Sequence, residues 1–181
     1  RELVRPENVH HPVTRLIVIE NTHNRGGGAI FPFEEIKKIR EFATDYGIRM
    51  HLDGARLWNA SKATGISIKN YCDLFDSVSL CFSKGLGAPV GSIIAASETF
   101  IHQARYYRKL FGGGMRQAGI LAAAALYAVN HHFERLTEDR FTWSEGPVWV
   151  PGGQFLLFSD VPEDTMWQWS EAGGLEVFLR P

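Results

Sequence analysis

Short apolar runs flank an amphipathic stretch in the first part of the chain. Residues 15–19 read RLIVI, an almost uninterrupted apolar run, and residues 48–52 read IRMHL. Between them, apolar positions recur at helical spacing over residues 33–46, with Pro32 near the first turn and Gly47 just past the end. This order predicts a strand, a helix and a second strand, the unit that builds a parallel sheet.

Two more strands and two helices are predicted downstream. Residues 77–82 (SVSLCF) form a third strand-like run, and residues 91–96 (GSIIAA) form a fourth that could run antiparallel to its neighbour. A basic helix is predicted over residues 98–110, three glycines interrupt the chain at 112–114, and an alanine-rich helix follows over 116–136. The pattern predicts an α/β fold with a mainly parallel sheet, in which ligands gather beyond the carboxyl ends of the strands.

The pattern changes near residue 140. Aromatic residues crowd residues 141–178, and short alternating runs are separated by turn sequences at 151–153 (PGG) and 172–174 (AGG). We therefore expect a domain boundary that separates residues 1–139 from a β-hairpin segment over 140–181.

Composition restricts the class of partner. The 181 residues include 19 basic and 20 acidic side chains, and 45% of the chain is hydrophobic, which indicates a soluble globular protein with a small-molecule ligand rather than nucleic acid or a membrane. Cys72 and Cys81 form neither a CxxC motif nor a disulfide framework, so a cytoplasmic location is expected. The start at Arg1 rather than at methionine indicates missing upstream sequence.

Charged residues follow two of the predicted strands. Lys84 lies in SKGLGAPVG at residues 83–91, and Asp53 and Arg56 belong to a DGAR stretch. Pyridoxal phosphate requires an amine for its aldehyde, a carboxylate that keeps its pyridine nitrogen protonated, and cations for its oxygens. These three residues are therefore candidates for such a site. Two of them also have an ordinary alternative: Lys84 could be a solvated loop lysine, and Asp53 could cap a helix beginning at Ala55.

Other polar motifs are less specific. Arg116 follows the glycines at 112–114, whose missing side chains let a backbone approach an anion closely, and its guanidinium could bind a phosphate or carboxylate. The glycine run is not a P-loop, and residues 85–90 fail the dinucleotide fingerprint, so nucleotide binding is not predicted. His131 and His132 are adjacent on a predicted helix and point in different directions, so they are assigned no role.

Four segments resemble those of low-specificity L-threonine aldolases, which are pyridoxal phosphate enzymes of fold type I. They are ENTHN at 20–24, HLDGAR at 51–56, SKGLGAPVGS at 83–92 and GGGMRQAG at 112–119. The resemblance covers residues 1 to about 139 and implies part of an aspartate aminotransferase-like large domain. It also implies cleavage of L-threonine or L-allo-threonine, both β-hydroxy-α-amino acids, to glycine and an aldehyde.

The same resemblance implies roles for individual residues. Lys84 would form the Schiff base with the cofactor, Asp53 would pair with its pyridine nitrogen, and Arg56 with its ring oxygen. His10 lies where the family carries a histidine near the substrate hydroxyl, although a bound water could equally accept that proton. The close alternative is another fold-type-I reaction, such as that of an aminotransferase or a β-eliminating lyase.

The resemblance further implies assembly. Lys109 and Arg116 would help to hold the phosphate or the substrate across a subunit interface, in a homodimer or homotetramer. Family members also carry an upstream phosphate-binding loop and a downstream arginine for the substrate carboxylate, and neither is visible in this sequence. We therefore expect an incomplete enzyme, with a non-catalytic fragment or fusion as the alternative.

The C-terminal segment has a different resemblance. Residues 143–149 (WSEGPVW) and 156–160 (LLFSD) resemble the start of an SMP-30/gluconolactonase-type β-propeller. In that family the glutamate matching Glu145 binds a divalent cation, but one carboxylate does not make a metal site. We expect no metal here, and keep Glu145 as a weak candidate and a metal-dependent lactonase as a further alternative.

Overall fold

A computed structural model describes residues 4–5, 7–136, 144–160 and 165–180, which form two separate β-sheets. The chain divides into two compact units. The first comprises Arg1–Thr22 with Ile30–Glu138, and the second comprises His23–Ala29 with Asp139–Pro181. The boundary predicted near residue 140 lies outside the described residues.

The sheet of the first unit has four strands in the order of the sequence. They are β1 (Leu16–Glu20), β2 (Arg49–Gly54), β3 (Ser77–Cys81) and β4 (Ser92–Ala96). β1 pairs parallel with β2 and β2 pairs parallel with β3, whereas β4 runs antiparallel to β3. The predicted mainly parallel sheet and its antiparallel fourth strand are confirmed.

Five α-helices accompany this sheet in the described part of the chain. They are α1 (Phe33–Asp45), α2 (Leu57–Thr64), α3 (Ile68–Cys72), α4 (Glu98–Leu110) and α5 (Gly119–His131). The predicted helix over 116–136 is shorter than expected, because His132 ends α5 and a 3₁₀ helix, Phe133–Arg135, follows it. Among the described residues, no helix is both long and apolar enough to cross a bilayer.

One face of the sheet forms the main core. Side chains alternate between the two faces of a strand, and Met50 and Leu52 of β2 are fully buried with Ile36 of α1, Leu57 of α2 and Tyr71 at α3. The opposite face carries exposed apolar side chains of β1 together with partly buried polar ones of β2. They are Leu16, Val18, His51 and Asp53.

The second sheet is an antiparallel meander. It consists of β5 (Ser144–Val150), β6 (Phe155–Asp160), β7 (Thr165–Ser170) and β8 (Gly174–Leu179), each paired with the next. The turns predicted at 151–153 and 172–174 lie between strands as expected. The segment has four strands, whereas a two-stranded hairpin was expected. The additional strands β7 and β8 pair with β6 and with each other, which satisfies backbone groups that a lone hairpin would leave unpaired.

Candidate cofactor site at the strand ends

Asp53 lies at the carboxyl end of the parallel strands. Its backbone pairs with Glu20 of β1 on one side and with Ser79 of β3 on the other. Its Oδ1 accepts a hydrogen bond from the backbone N–H of Ala55 at 3.2 Å, which forms a turn before α2 begins at Leu57. Asp53 therefore does not cap α2, whose N-terminal cap residue is Arg56.

Lys84 lies in an exposed turn after β3. The Lys84 carbonyl accepts a hydrogen bond from Gly87 N at 2.7 Å, and Ala88 N donates to the Phe82 carbonyl at 3.0 Å. Because β2 and β3 are parallel, their carboxyl ends meet at the same edge of the sheet. The structure thus brings the Asp53 carboxylate and the loop of Lys84 to one edge.

Arg56 belongs to the same edge. It precedes α2 as its N-terminal cap residue and is partly buried. Its carbonyl accepts hydrogen bonds from the backbone N–H groups of Asn59 and Ala60, at 3.0 and 3.4 Å. Its backbone is therefore fixed within the first turn of α2, three residues after Asp53.

The structure does not bring the other three predicted site residues to this edge. Lys109 lies in the last turn of α4 and Arg116 lies before α5, and both are exposed. His10 lies in an exposed turn, where its backbone N–H donates to Asn8 Oδ1 at 2.9 Å. Within the described ranges, no hydrogen bond or ion pair joins any of these three side chains to the strand-end residues. Their predicted roles therefore remain predictions.

Asn21 is a further candidate site residue at this edge, and no sequence motif singled it out. It directly follows β1, is fully buried, and donates its backbone N–H to the Asp53 carbonyl at 3.0 Å. Its Oδ1 accepts from Phe31 N at 3.2 Å, whereas its Nδ2 is buried without a partner. An unsatisfied buried donor is costly unless a ligand accepts from it. Its position directly after an apolar strand, within ENTHN, could have identified it.

These groups fit the ring portion of pyridoxal phosphate. Lys84 supplies a primary amine, Asp53 a carboxylate, and Asn21 an unpaired amide donor, which match the aldehyde, the pyridine nitrogen and the ring oxygen of that cofactor. Lys109 and Arg116 do not provide a comparable phosphate site at this edge.

Two further side chains contact the strand β3 and the loop that follows it. Trp58 of α2 donates its Nε1–H to the Cys81 carbonyl at 3.0 Å, and His132 places Nδ1 2.7 Å from the Leu86 carbonyl oxygen. Neither residue is predicted from the sequence to have a role. A local sequence pattern could not have identified these two contacts. The His132 contact, for example, joins residues 46 positions apart.

The part of the chain that the structure describes contains no cluster of three or more His, Cys, Asp or Glu side chains that could hold a metal ion. Glu145 lies in β5, but its side chain is outside the described ones.

A family model described as beta-eliminating lyase matches residues 1–145. The chain belongs to the beta-eliminating lyase family. Enzymes of the beta-eliminating lyase family depend on pyridoxal phosphate.

Several proteins similar to this chain are named threonine aldolases. The chain is 54% identical over 129 residues to the low-specificity L-threonine aldolase of Candida albicans, a match that covers 71% of this chain and 34% of the relative. It is 49% identical over 129 residues to low-specificity L-threonine aldolase 1 of Arabidopsis thaliana, which covers 71% of this chain and 36% of the relative. These matches confirm the resemblance drawn from the four motifs.

A solved structure supports the fold. The chain is similar to a Listeria monocytogenes EGD-E protein described as a candidate L-allo-threonine aldolase, with a TM-score of 0.65 and 33% identity over 70% of this chain and 35% of the other. The predicted fold-type-I architecture is therefore confirmed. The chain spans about a third of the length of these relatives. The propeller resemblance of the C-terminal segment receives no support from the comparisons.

Proposed function

We propose that this chain carries the pyridoxal phosphate-binding core of a threonine aldolase, which cleaves L-threonine or L-allo-threonine to glycine and an aldehyde. The observation that carries this proposal is the meeting of the Asp53 carboxylate, the Lys84 loop and the unpaired Asn21 amide at one sheet edge. The names of the relatives support the choice of threonine as substrate.

Each group at the edge has a distinct role in this proposal. When bound, the cofactor supplies an electron sink for the pair released from the substrate's Cα–Cβ bond. Lys84 Nζ holds the cofactor covalently, and the Asp53 carboxylate keeps the proton on the ring nitrogen. Arg56 and Asn21 Nδ2 supply donors for the ring oxygen. Because Asn21 is fully buried, its donor is shielded from competing water.

The cleavage also requires a proton acceptor. As the Cα–Cβ bond breaks, the β-hydroxyl proton must leave and Cα must gain a proton, so that threonine becomes glycine and acetaldehyde with no further reactant. We propose that His10 or a bound water accepts the hydroxyl proton. The His10 imidazole is exposed and forms no hydrogen bond with any described residue, so it is available for this role.

We further propose that the active site is completed by association of identical chains. Lys109 and Arg116 are exposed at and beyond the end of α4, where Tyr106, Tyr107 and Phe111 are 65%, 53% and 81% exposed. Aromatic side chains grouped on a surface favour an interface. In a homodimer or homotetramer, the two cations could then bind the phosphate or the substrate carboxylate of a neighbouring subunit.

A cytoplasmic location is also part of the proposal. Cys72 and Cys81 are both free thiols, as proteins in a reducing compartment normally have.

Cofactor capture tests the proposal. The purified chain is incubated with pyridoxal phosphate, reduced with borohydride, digested and analysed by peptide mass spectrometry. We expect one adduct, on Lys84, that is absent in Lys84→Ala and retained in Lys69→Ala, which removes an exposed lysine of α3. Absence of the adduct, or labelling spread over many lysines, would reduce the chain to a non-catalytic fragment.

Product analysis then separates the fold-type-I reactions. Glycine and acetaldehyde released from L-threonine or L-allo-threonine would support the aldolase. Pyruvate from serine would indicate a β-eliminating lyase, and a keto acid formed only with an amino-group acceptor would indicate an aminotransferase.

A further inference from the structure

The backbone of the lysine-bearing loop is held by a side chain from α5. His132 Nδ1 lies 2.7 Å from the carbonyl oxygen of Leu86, two residues after Lys84. A carbonyl oxygen can only accept, so Nδ1 carries the proton in this contact. The neutral Nδ1–H tautomer and the imidazolium both satisfy it, and the bond therefore persists whichever charge the ring carries.

Packing brings His132 to this position. Leu86 is fully buried and forms a small apolar cluster with Ala88, Ala128 and Leu136. Ala128 and Leu136 lie on either side of His132 in sequence, so the same segment supplies the apolar contact and the hydrogen bond. The fit is close, since a Cβ added to Gly85 would lie 3.0 Å from Leu136 Cδ2.

Apart from the packing of Leu86, few contacts hold the backbone of the loop that carries Lys84. Its backbone bonds at this turn run from Gly87 N to the Lys84 carbonyl and from Ala88 N to the Phe82 carbonyl. The Lys84 side chain is exposed and forms no hydrogen bond with any described residue. Its direction therefore follows from the backbone between residues 82 and 88, and a glycine-rich backbone adopts many conformations unless it is held.

We propose that His132 is a positioning residue for Lys84, whose Nδ1–H holds the loop so that the amine is presented at the Asp53 edge. The role in positioning rests on the proposed function of Lys84. The hydrogen bond itself acts on the free chain, and so it can be tested without cofactor.

Two substitutions separate the hydrogen bond from the packing of the ring. His132→Phe removes the donor and keeps an aromatic ring beside Tyr127, whose centroid lies 5.5 Å from that of His132. His132→Asn removes the ring and retains an N–H donor at the position of Nδ1. His131→Phe is the matched control, because the His131 ring packs against the same Tyr127, with ring centroids 4.4 Å apart.

Hydrogen exchange of the cofactor-free chain, followed by mass spectrometry, is the first measurement. In His132→Phe we expect the Gly87 and Ala88 amides to exchange about fivefold faster, as expected for loss of one ordinary hydrogen bond. His132→Asn should stay within about twofold of wild type, because it restores a donor of similar strength. His131→Phe should match wild type, and the amides of β2 should be unchanged in all variants.

The second measurement is the rate at which Lys84 takes up pyridoxal phosphate, trapped by borohydride. We expect it to fall in His132→Phe and to recover in His132→Asn. Unchanged loop exchange in His132→Phe, equal behaviour of the Phe and Asn variants, or faster exchange throughout the sheet would each overturn the inference. Faster amide exchange in the loop of His132→Phe, together with an unchanged rate of pyridoxal phosphate uptake at Lys84, would also overturn it. If wild type takes up no cofactor on Lys84, the proposed function and this positioning role both fail, whereas exchange still reports the hydrogen bond itself.

Discussion

The indole Nε1 of Trp58 donates a hydrogen bond to the backbone carbonyl of Cys81 at 3.0 Å. This bond joins the first turn of α2, which follows Asp53, to the last residue of β3, which precedes Lys84. The Trp58 ring also lies near Phe82, with ring centroids 6.3 Å apart. One side chain thus connects the two strand exits that carry the candidate cofactor residues.

Loss of the hydrogen bond from Trp58 to the Cys81 carbonyl should lower the stability of the first unit. In Trp58→Phe an aromatic ring remains but the Cys81 carbonyl loses its donor, so we expect the free energy of unfolding to fall by about 1 kcal/mol. Urea titration followed by circular dichroism measures it. Tyr106→Phe, at a residue that is 65% exposed, is the control and should stay within about 0.5 kcal/mol of wild type. Equal stability of Trp58→Phe and wild type would show that the bond contributes nothing.

Gly54 is required by close packing directly after Asp53. A Cβ at this position would lie 2.8 Å from Leu80 Cδ2 and 2.9 Å from the backbone oxygen of Ser79. Gly54→Ala should therefore cost about 1–3 kcal/mol of unfolding free energy and slow cofactor uptake at Lys84, because β2 and β3 must separate.

The matched control for this substitution is Gly119→Ala. Gly119 begins α5, and a Cβ there meets no atom within 4 Å, so stability should be unchanged or up to about 1 kcal/mol higher. The thermal unfolding midpoints of Gly54→Ala and Gly119→Ala, measured side by side, test this prediction. Equal loss in both would refute the packing argument.

Asp76 forms an ionic cluster at the opposite end of the sheet. It accepts hydrogen bonds from Arg40 Nη1, Arg49 Nη1 and the backbone N of Met50, at 2.8, 2.9 and 2.8 Å. Burial alone would raise the pKa of this carboxyl, but the bonds from Met50 and the two arginines outweigh it and lower the pKa from 3.8 to about 2.

This pKa predicts a pH-dependent contribution to stability. Because the folded pKa is below the unfolded value, the contribution is complete above pH 3.8 and is lost as the pH falls towards about 2. Asp76→Asn should cost about 2 kcal/mol of unfolding free energy at neutral pH, and its difference from wild type should shrink across that window. Urea titrations at several pH values test this. The exposed Asp73→Asn should cost less than about 0.5 kcal/mol, and a pH-independent difference for Asp76→Asn would contradict the assignment.

The exposed end of α4 predicts self-association. Phe111 is 81% exposed, and placing a charge there should break an interface built from this surface. We expect sedimentation velocity to give a multiple of the 20.3 kDa chain mass for wild type and a lower mass for Phe111→Glu. Tyr46→Glu, at a residue that is 59% exposed beyond α1, should not change the mass. A wild type that sediments as a monomer at all concentrations would exclude the proposed assembly.

The strands and their directions could be predicted because apolar periodicity is a local property of the chain. Helix ends were harder to predict, because they depend on individual turn and cap contacts rather than on the apolar period. The alanine-rich helix stops at His131, and the helix after Asp53 begins at Leu57 because the Asp53 carboxylate holds Ala55 in a turn. The number of strands after residue 144 also differed from the expected hairpin, because it depends on which segments pair with one another.

By itself, the sequence determined which residues are candidates for the proposed chemistry. Asp53 lies at the carboxyl end of β2 and Lys84 lies in the loop after β3, and the topology of a parallel sheet brings such strand ends together. Only the tertiary structure decided that Asn21 has an unpaired buried amide there, and that His132 holds the Leu86 carbonyl. These contacts join side chains to backbone groups distant in sequence, and they exist only after packing has brought those groups together.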